Sequence, residues 1–210
     1  MKIKDVIEEG VYKNPAPKIR WFKANCTPTK FKELFIESAS NKMFGSDYKV
    51  DSDNKQIINQ LYFYLIGSDQ FVGDLNKGIL LSGAIGNGKT IIMESFIDVF
   101  HIAIDERKRI CKIHAKEVGA ILSEPEKYNA QHFKSKPLFI DDIGKEESEI
   151  KVYGTNVAPF EDLISDRYKH FAITFGTTNY KFEDMKYSRH TIDRMRQMFN
   201  VIVLPGKSRR

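Results

Sequence analysis

The stretch GILLSGAIGNGKT, residues 78–90, decides the fold of this 210-residue chain. Its last eight residues, 83–90, match the pattern G-x-x-x-x-G-K-[ST] at every fixed position. The apolar run 78–82 in front of them predicts a buried strand, and the apolar residues behind them recur at helical spacing. A strand, a glycine-rich turn and a helix in this order predict a loop whose backbone N–H groups surround phosphate oxygens.

Each position of this loop has a predicted task at a nucleotide polyphosphate. The Lys89 amine is expected to reach the β- and γ-phosphates, and the Thr90 hydroxyl to take one Mg²⁺ position. The residues predicted to bind the nucleotide are Gly83, Ala84, Ile85, Gly86, Asn87, Gly88, Lys89, Thr90 and Ile91. The alternative is a chance match in a glycine-containing loop, and the flanking strand and helix patterns count against it.

A second apolar run, residues 137–140, ends in two adjacent acids. If this strand lies beside the loop strand, Asp141 is expected to hold Mg²⁺, directly or through water. Asp142 would then orient and deprotonate an attacking water, so the pair favours hydrolysis over simple binding. The alternative is a strand that runs into an ordinary acidic turn.

A third apolar run, residues 171–177, ends near Asn179. An asparagine at that edge of the sheet is placed to hydrogen-bond the γ-phosphate and the attacking water, although asparagine is also a common turn residue. Further on, Arg194 and Arg196 lie on a short predicted helix, where about 100° per residue turns them in different directions. One of them fits an arginine that stabilises the transferring phosphoryl group, often from a neighbouring subunit; the alternative is a helix with solvated arginines.

Composition indicates a soluble globular protein. Hydrophobic residues make up 41% and charged residues 29%, and the net charge of +5 permits a polyanionic partner without establishing one. Cys26 and Cys111 form no CxxC pair, which favours a reducing compartment and argues against a zinc site. Acidic residues stand where a signal peptide needs an apolar core, and no apolar run is long enough to span a bilayer. We therefore expect a cytoplasmic protein with no membrane partner.

The chain divides into a helical N-terminal extension, residues 1–75, and an α/β core, residues 76–210. The extension carries two predicted helices, one starting near Thr27 and Pro28 and one over residues 53–66. Core strands are predicted at 78–82, 110–114, 137–141, 171–177 and 201–204, and helices follow the loop and lie near 115–122, 158–169 and 189–198. This alternation predicts a three-layer αβα fold of the P-loop NTPase class around a five-stranded, mostly parallel sheet.

From about residue 77 onward, the order of motifs resembles the AAA+ ATPases, specifically the clade of DnaC-type helicase loaders and IstB-type transposition helpers. The resemblance is carried by GAIGNGKT at 83–90, PLFIDDIG at 137–144, FEDLISDRY at 160–168, TTN at 177–179 and IDRMR at 192–196. It implies ATP as the nucleotide, Asp142 as the catalytic acid, Asn179 as sensor 1 and Arg194 as a finger that acts in trans. It also implies that Arg167 is a second arginine near the subunit boundary.

Two departures from the family pattern limit what the resemblance implies about partners. Little sequence follows the last predicted strand, so we expect no C-terminal helical lid domain. The N-terminal region has no cysteine cluster, unlike the zinc-bearing helicase-binding domains of some loaders. The sequence therefore predicts the ATPase core without identifying the protein partner.

The predicted function is an ATPase with Mg²⁺ as its cofactor, acting in DNA replication as a loader of a replicative helicase and oligomerising on single-stranded DNA. Its candidate DNA-binding residues are Arg107, Lys108, Arg109 and Lys112, which a solvated helix end explains equally well. Three alternatives stay open: a transposition helper that acts on duplex DNA, an interaction module with little turnover, and a small-molecule kinase. The paired acids followed by Asn179 and Arg194 speak against the kinase.

Overall fold

A computed structural model describes residues 23–44, 46–104, 109–124, 126, 130–152, 154–206 and 208. Residues 1–22 of the predicted extension, and Arg107 and Lys108 among the candidate basic residues, lie outside the described residues. Among the helices of these ranges, none combines the length and the apolar character needed to cross a bilayer.

The elements alternate along the chain as the sequence predicts. The helices are α1 (Pro28–Lys42), α2 (Lys55–Ile66), α3 (Lys89–Ala103), α4 (Val118–Ser123), α5 (Ala130–Ser135), α6 (Pro159–Lys169) and α7 (Arg189–Met198). The strands are β1 (Gly78–Gly83), β2 (Cys111–His114), β3 (Leu138–Ile143), β4 (Ile150–Val152), β5 (Thr155–Val157), β6 (Thr174–Thr178) and β7 (Phe199–Leu204). Short 3-10 turns cover Ala115–Glu117 and Phe182–Asp184.

The main sheet has the order β2-β3-β6-β1-β7, and each neighbouring pair of its strands is parallel. The prediction of a five-stranded sheet is confirmed. Helix α5 and the antiparallel β4–β5 hairpin were not predicted, because three-residue strands in an acid-rich segment show no apolar alternation. All five strands of the main sheet end at one edge, which brings their carboxyl-terminal residues together.

Two hydrophobic clusters cover the two faces of the sheet. Ile79 and Leu81 of β1 face a cluster built with α1, α2 and α3, whereas Leu80 faces a cluster built with α4, α6 and α7. Burial on both faces explains why the strands read as continuous apolar runs instead of alternating ones. The predicted three-layer αβα architecture is therefore confirmed.

The described part of the N-terminal extension packs directly on the core. Helix α1 begins as predicted, with Pro28 in the first turn and the Thr27 hydroxyl accepting a hydrogen bond from the Lys30 amide at 3.3 Å. Tyr64 of α2 is fully buried, and its hydroxyl donates to the Lys77 carbonyl at 2.8 Å. Helix α2 and the sheet contribute to one hydrophobic cluster, so packing does not separate the extension from the core. The boundary at residue 75 therefore stays a prediction from the sequence.

Arg167 of α6 lies in the interior, so the expectation that it stands near a subunit boundary is wrong. Its side chain is fully buried, and its Nε donates to the Thr174 hydroxyl at 2.9 Å. Its other nitrogens donate to the carbonyls of Ile173, at 2.7 Å, and Phe133. Burial lowers the pKa of this guanidinium to about 9, and it remains cationic at neutral pH. Arg167 therefore joins α5, α6 and β6.

We expect Arg167→Met to lower the free energy of unfolding by about 2–4 kcal/mol, because it leaves buried carbonyl groups without a donor. Urea unfolding followed by circular dichroism measures the change. Arg196→Met is the matched control, since Arg196 forms an exposed ion pair with Glu183, and such pairs contribute only about 0–1 kcal/mol. Equal stability of the two variants would contradict the structural role of Arg167.

Candidate nucleotide site

The glycine-rich loop connects β1 to α3 at the carboxyl edge of the sheet. Gly86 and Gly88 have φ values of 80° and 99°, in the region that side chains disfavour. A Cβ on Gly83 would lie 2.5 Å from the Leu204 carbonyl oxygen, so only glycine fits where the loop passes β7. The loop borders a cavity of about 320 Å³. Its lining is Met43, Asp47, Tyr48, Lys49, Ile85, Gly86, Asn87, Gly88, Lys89, Thr90, Ile91, Asp142, Lys145 and Asn179.

Lys89 is buried inside the loop. Its Nζ donates to the carbonyls of Gly83 and Ala84, at 2.9 and 2.8 Å, and lies 3.2 Å from the Asn87 side-chain oxygen. The amide nitrogen of Asn87 in turn donates to the Leu204 carbonyl at 2.9 Å. The amine therefore lies at the centre of the predicted phosphate site, and Asn87 ties the loop to the end of β7.

Asp141 of β3 joins the start of α3 to the end of β6. Its Oδ1 accepts hydrogen bonds from the Thr90 hydroxyl at 3.0 Å and from the Thr177 hydroxyl at 2.5 Å. A carboxylate beside a threonine hydroxyl is the hard oxygen donor set that Mg²⁺ prefers. Thr90 and Asp141, predicted as metal ligands from different parts of the sequence, are thus brought together, and they fit the metal.

Asp142 has an unusual backbone, with φ of 58°, and its amide donates to the Thr177 hydroxyl at 2.9 Å. Its carboxylate lies 2.6 Å from Lys145 Nζ, 3.6 Å from His114 Nε2 and 3.4 Å from Asn179 Nδ2. Partial burial raises the pKa of Asp142, but the hydrogen bond from Lys145 and the nearby charges outweigh it, so the pKa lies below its ordinary value. The carboxylate is therefore ionised at neutral pH and can accept a hydrogen bond from water.

Several residues of the site were missed from the sequence. His114 ends β2 beside β3, and its Nδ1 accepts from the Lys116 amide at 3.1 Å, which leaves Nε2 directed at Asp142. Thr177 was noted only as part of a strand end. Between α1 and α2, the cavity is also lined by Met43, Asp47, Tyr48 and Lys49 of the extension, and no motif in the sequence could have found them.

Arg194 lies outside this cavity within its own chain. Its guanidinium stands over the Tyr168 ring, 5.8 Å from the centroid, whereas Arg196 pairs with Glu183 at 2.9 Å. The two arginines thus have different surroundings, as their helical spacing predicts. Lys112, one of the candidate DNA-binding residues, lies 3.5 Å from Glu94 and 3.7 Å from Asp98. Its charge is therefore partly neutralised within the chain.

Glu161 of α6 holds the start of α7. Its carboxylate accepts hydrogen bonds from the Ser188 amide at 3.1 Å, from the Ser188 hydroxyl, and from the Thr191 hydroxyl at 2.6 Å. Partial burial raises the pKa of Glu161, and these hydrogen bonds lower it by more. The net effect is a pKa of Glu161 below its ordinary value. The hydrogen bonds from Ser188 and Thr191 fix the start of the helix that carries Arg194.

Comparisons with known proteins give structural likeness only. No protein-family profile matches the chain, and no curated protein matches it in sequence. A provisionally assigned primosome component from Streptococcus pyogenes serotype M3 superposes with a TM-score of 0.59 at 18% identity, over 88% of this chain and 92% of that one. DnaI gives 0.57 at 22% identity, over 85% and 93% of the two chains. The DnaC helicase loader gives 0.54 at 16% identity, over 75% and 93%.

The replication initiator DnaA, in a complex with AMPPCP and single-stranded DNA, gives a TM-score of 0.52 at 15% identity, over 76% of this chain and 49% of that one. The structural neighbours of the chain thus include helicase loaders and DnaA. At these identities the likeness establishes the fold alone, which is the predicted three-layer αβα fold of the P-loop NTPase class.

We expect Glu161→Gln to destabilise the protein in a pH-dependent way. Because the folded pKa of Glu161 is lowered, the ionised group stabilises the fold above its ordinary pKa of 4.5, and this contribution is lost as the pH falls through the folded pKa. The difference in unfolding free energy between wild type and variant should therefore be full at neutral pH and shrink below about pH 4. Urea unfolding at a series of pH values measures it. The exposed Glu37→Gln on α1 is the control, and a pH-independent difference for Glu161→Gln would contradict the role.

Proposed function

We propose that this chain binds and hydrolyses ATP with Mg²⁺ and acts in DNA replication as a helicase-loader-like AAA+ protein that oligomerises on single-stranded DNA. The observation that carries the ATPase part is the convergence of loop, acids and polar strand end at one edge of the sheet. Lys89, Thr90, Asp142 and Asn179 line one cavity, and Asp141 lies within hydrogen-bond distance of Thr90. The fold shared with helicase loaders and DnaA supports the replication part.

Each residue of the site has its own role in the proposed reaction. The loop amides and Lys89 hold the β- and γ-phosphates, and Thr90 and Asp141 hold Mg²⁺, which supplies charge neutralisation at the phosphates. Asp142 accepts the proton of the attacking water, whose oxygen bonds to the γ-phosphorus while the bond to the β–γ bridging oxygen breaks. Asn179, 3.4 Å from Asp142, donates to the γ-phosphate or to that water. The products are ADP and phosphate.

The apolar side chains that line the cavity suit the adenine base. Met43 and Tyr48 of the extension and Ile91 of α3 give it an apolar wall. The Tyr48 ring is held by Phe35, with centroids 6.0 Å apart, and by Asn54, whose side-chain nitrogen donates to its hydroxyl at 3.2 Å. This wall is preformed, which lowers the entropic cost of binding a flat ring. We therefore propose that the extension completes the nucleotide site.

A second candidate, an interaction module with little turnover, is favoured by one observation. The Asp142 carboxylate, which must accept the proton of water, is already engaged by Lys145 at 2.6 Å. A base held in an ion pair is slow to accept a proton. Slow hydrolysis that a partner or DNA stimulates reconciles the two candidates.

Asp142→Asn should leave ATP binding within about twofold of wild type and lower kcat by about 10²–10⁴, the usual contribution of a general base. Lys89→Ala should instead abolish binding, because it removes the cation at the phosphates. Fluorescence titration with a labelled ATP analogue and single-turnover hydrolysis separate the two effects. Asp184→Asn, an exposed acid elsewhere on the chain, is the control. Hydrolysis by Asp142→Asn at the wild-type rate would rule out Asp142 as the base.

Mixing experiments test the assembly. Arg194→Ala subunits added to wild type should lower hydrolysis by more than simple dilution, because each occupies a boundary where its neighbour needs the finger. Arg196 lies on the same helix but pairs with Glu183. Added Arg196→Ala subunits should therefore affect the hydrolysis rate no more than added wild-type subunits do. Each mixture is assayed alone, with single-stranded DNA and with duplex DNA. Turnover indifferent to DNA and to Arg194 would contradict the loader mechanism, and a preference for duplex DNA would favour the transposition helper.

A further inference from the structure

The carboxylate of Asp142 has both oxygens engaged. Its Oδ2 lies 2.6 Å from Lys145 Nζ and 3.6 Å from His114 Nε2, and its Oδ1 lies 3.4 Å from Asn179 Nδ2. Of these contacts, the one with Lys145 is the shortest and joins opposite charges. A water that is to be activated must compete with this amine for the same carboxylate.

The backbone holds Lys145 in place for this contact. The Lys145 amide donates to the Asp142 carbonyl at 3.2 Å, which closes a turn directly after β3. Asp142 and Gly144 have φ values of 58° and 99°, and a Cβ on Gly144 would lie 2.6 Å from the Tyr180 ring. The turn is therefore packed against Tyr180, and it keeps the lysine next to the acid.

Lys145 is at the same time a residue of the nucleotide cavity, together with Lys89 and Asn179. Its side chain is 36% exposed, so the amine can leave the carboxylate without crossing packed structure. An ion pair of this exposure is weak, and small changes in its surroundings are enough to break it.

We propose that Lys145 is a positioning residue that restrains Asp142, so that hydrolysis proceeds only when the amine leaves the carboxylate. The inference rests on the proposed ATPase function and adds to it a cause for slow basal turnover. Lys145 takes no part in binding the phosphates in this scheme. Its removal is therefore expected to act on kcat and not on KM.

The test is steady-state and single-turnover hydrolysis of ATP by the full chain. Lys145→Met should raise kcat about two- to fivefold, the range set by a partly exposed ion pair, and leave KM within about twofold of wild type. Lys145→Arg, which keeps the positive charge next to Asp142, should restore the low rate. Lys151→Met is the matched control, because it removes the same charge from an exposed position on strand β4. Thermal unfolding of each variant checks that the fold is retained.

The double variant Lys145→Met with Asp142→Asn shows whether the rise in kcat acts through Asp142. The rise should vanish when the base is absent. A Lys145→Met protein that hydrolyses ATP at or below the wild-type rate would overturn the restraint and leave the ATPase proposal intact. A rise in KM without a rise in kcat would overturn it as well, and would place Lys145 at the phosphates. A wild-type chain that neither binds nor hydrolyses ATP would overturn both proposals.

Discussion

The carboxylate of Asp141 is the point on which the geometry of the site depends. One of its oxygens accepts hydrogen bonds from Thr90 at the start of α3 and from Thr177 on β6, and so joins α3, β3 and β6. The Thr177 hydroxyl also accepts the amide of Asp142, which holds the left-handed backbone at that residue. One small network of hydrogen bonds thus fixes Asp141, the proposed metal ligand, relative to Asp142, the proposed base.

The same edge of the sheet places the Asp142 carboxylate next to groups that restrain it. Burial alone would make this carboxyl a stronger base, but Lys145 and its other charged neighbours lower its pKa, and Lys145 competes with water for its oxygens. In the proposed scheme, such a site is assembled before the nucleotide binds but is not free to react. Regulation by a partner would then require only a shift of the Lys145 side chain, without rebuilding of the loop or the sheet.

Segments other than the glycine-rich loop and the strand ends contribute to the site in two ways. Met43 and Tyr48, between α1 and α2, line the cavity and supply part of the wall proposed for the base. Glu161 of α6 accepts hydrogen bonds from the start of α7 and so fixes the helix that carries Arg194. On α6 itself, the buried Arg167 guanidinium donates hydrogen bonds to backbone carbonyl groups. A motif arginine in this fold can therefore serve packing and not chemistry.

The sequence by itself determined the sheet and the loop residues, because apolar runs and the G-x-x-x-x-G-K-T spacing are local patterns that the backbone must obey. It also placed Asp141, Asp142 and Asn179 at strand ends, and parallel strands bring those ends to one edge. Only the tertiary structure decided that Lys145 pairs with Asp142, that Tyr48 and its neighbours in the extension line the cavity, and that Arg167 is buried. These depend on side-chain directions and on contacts between segments distant in sequence, which no spacing along the chain encodes.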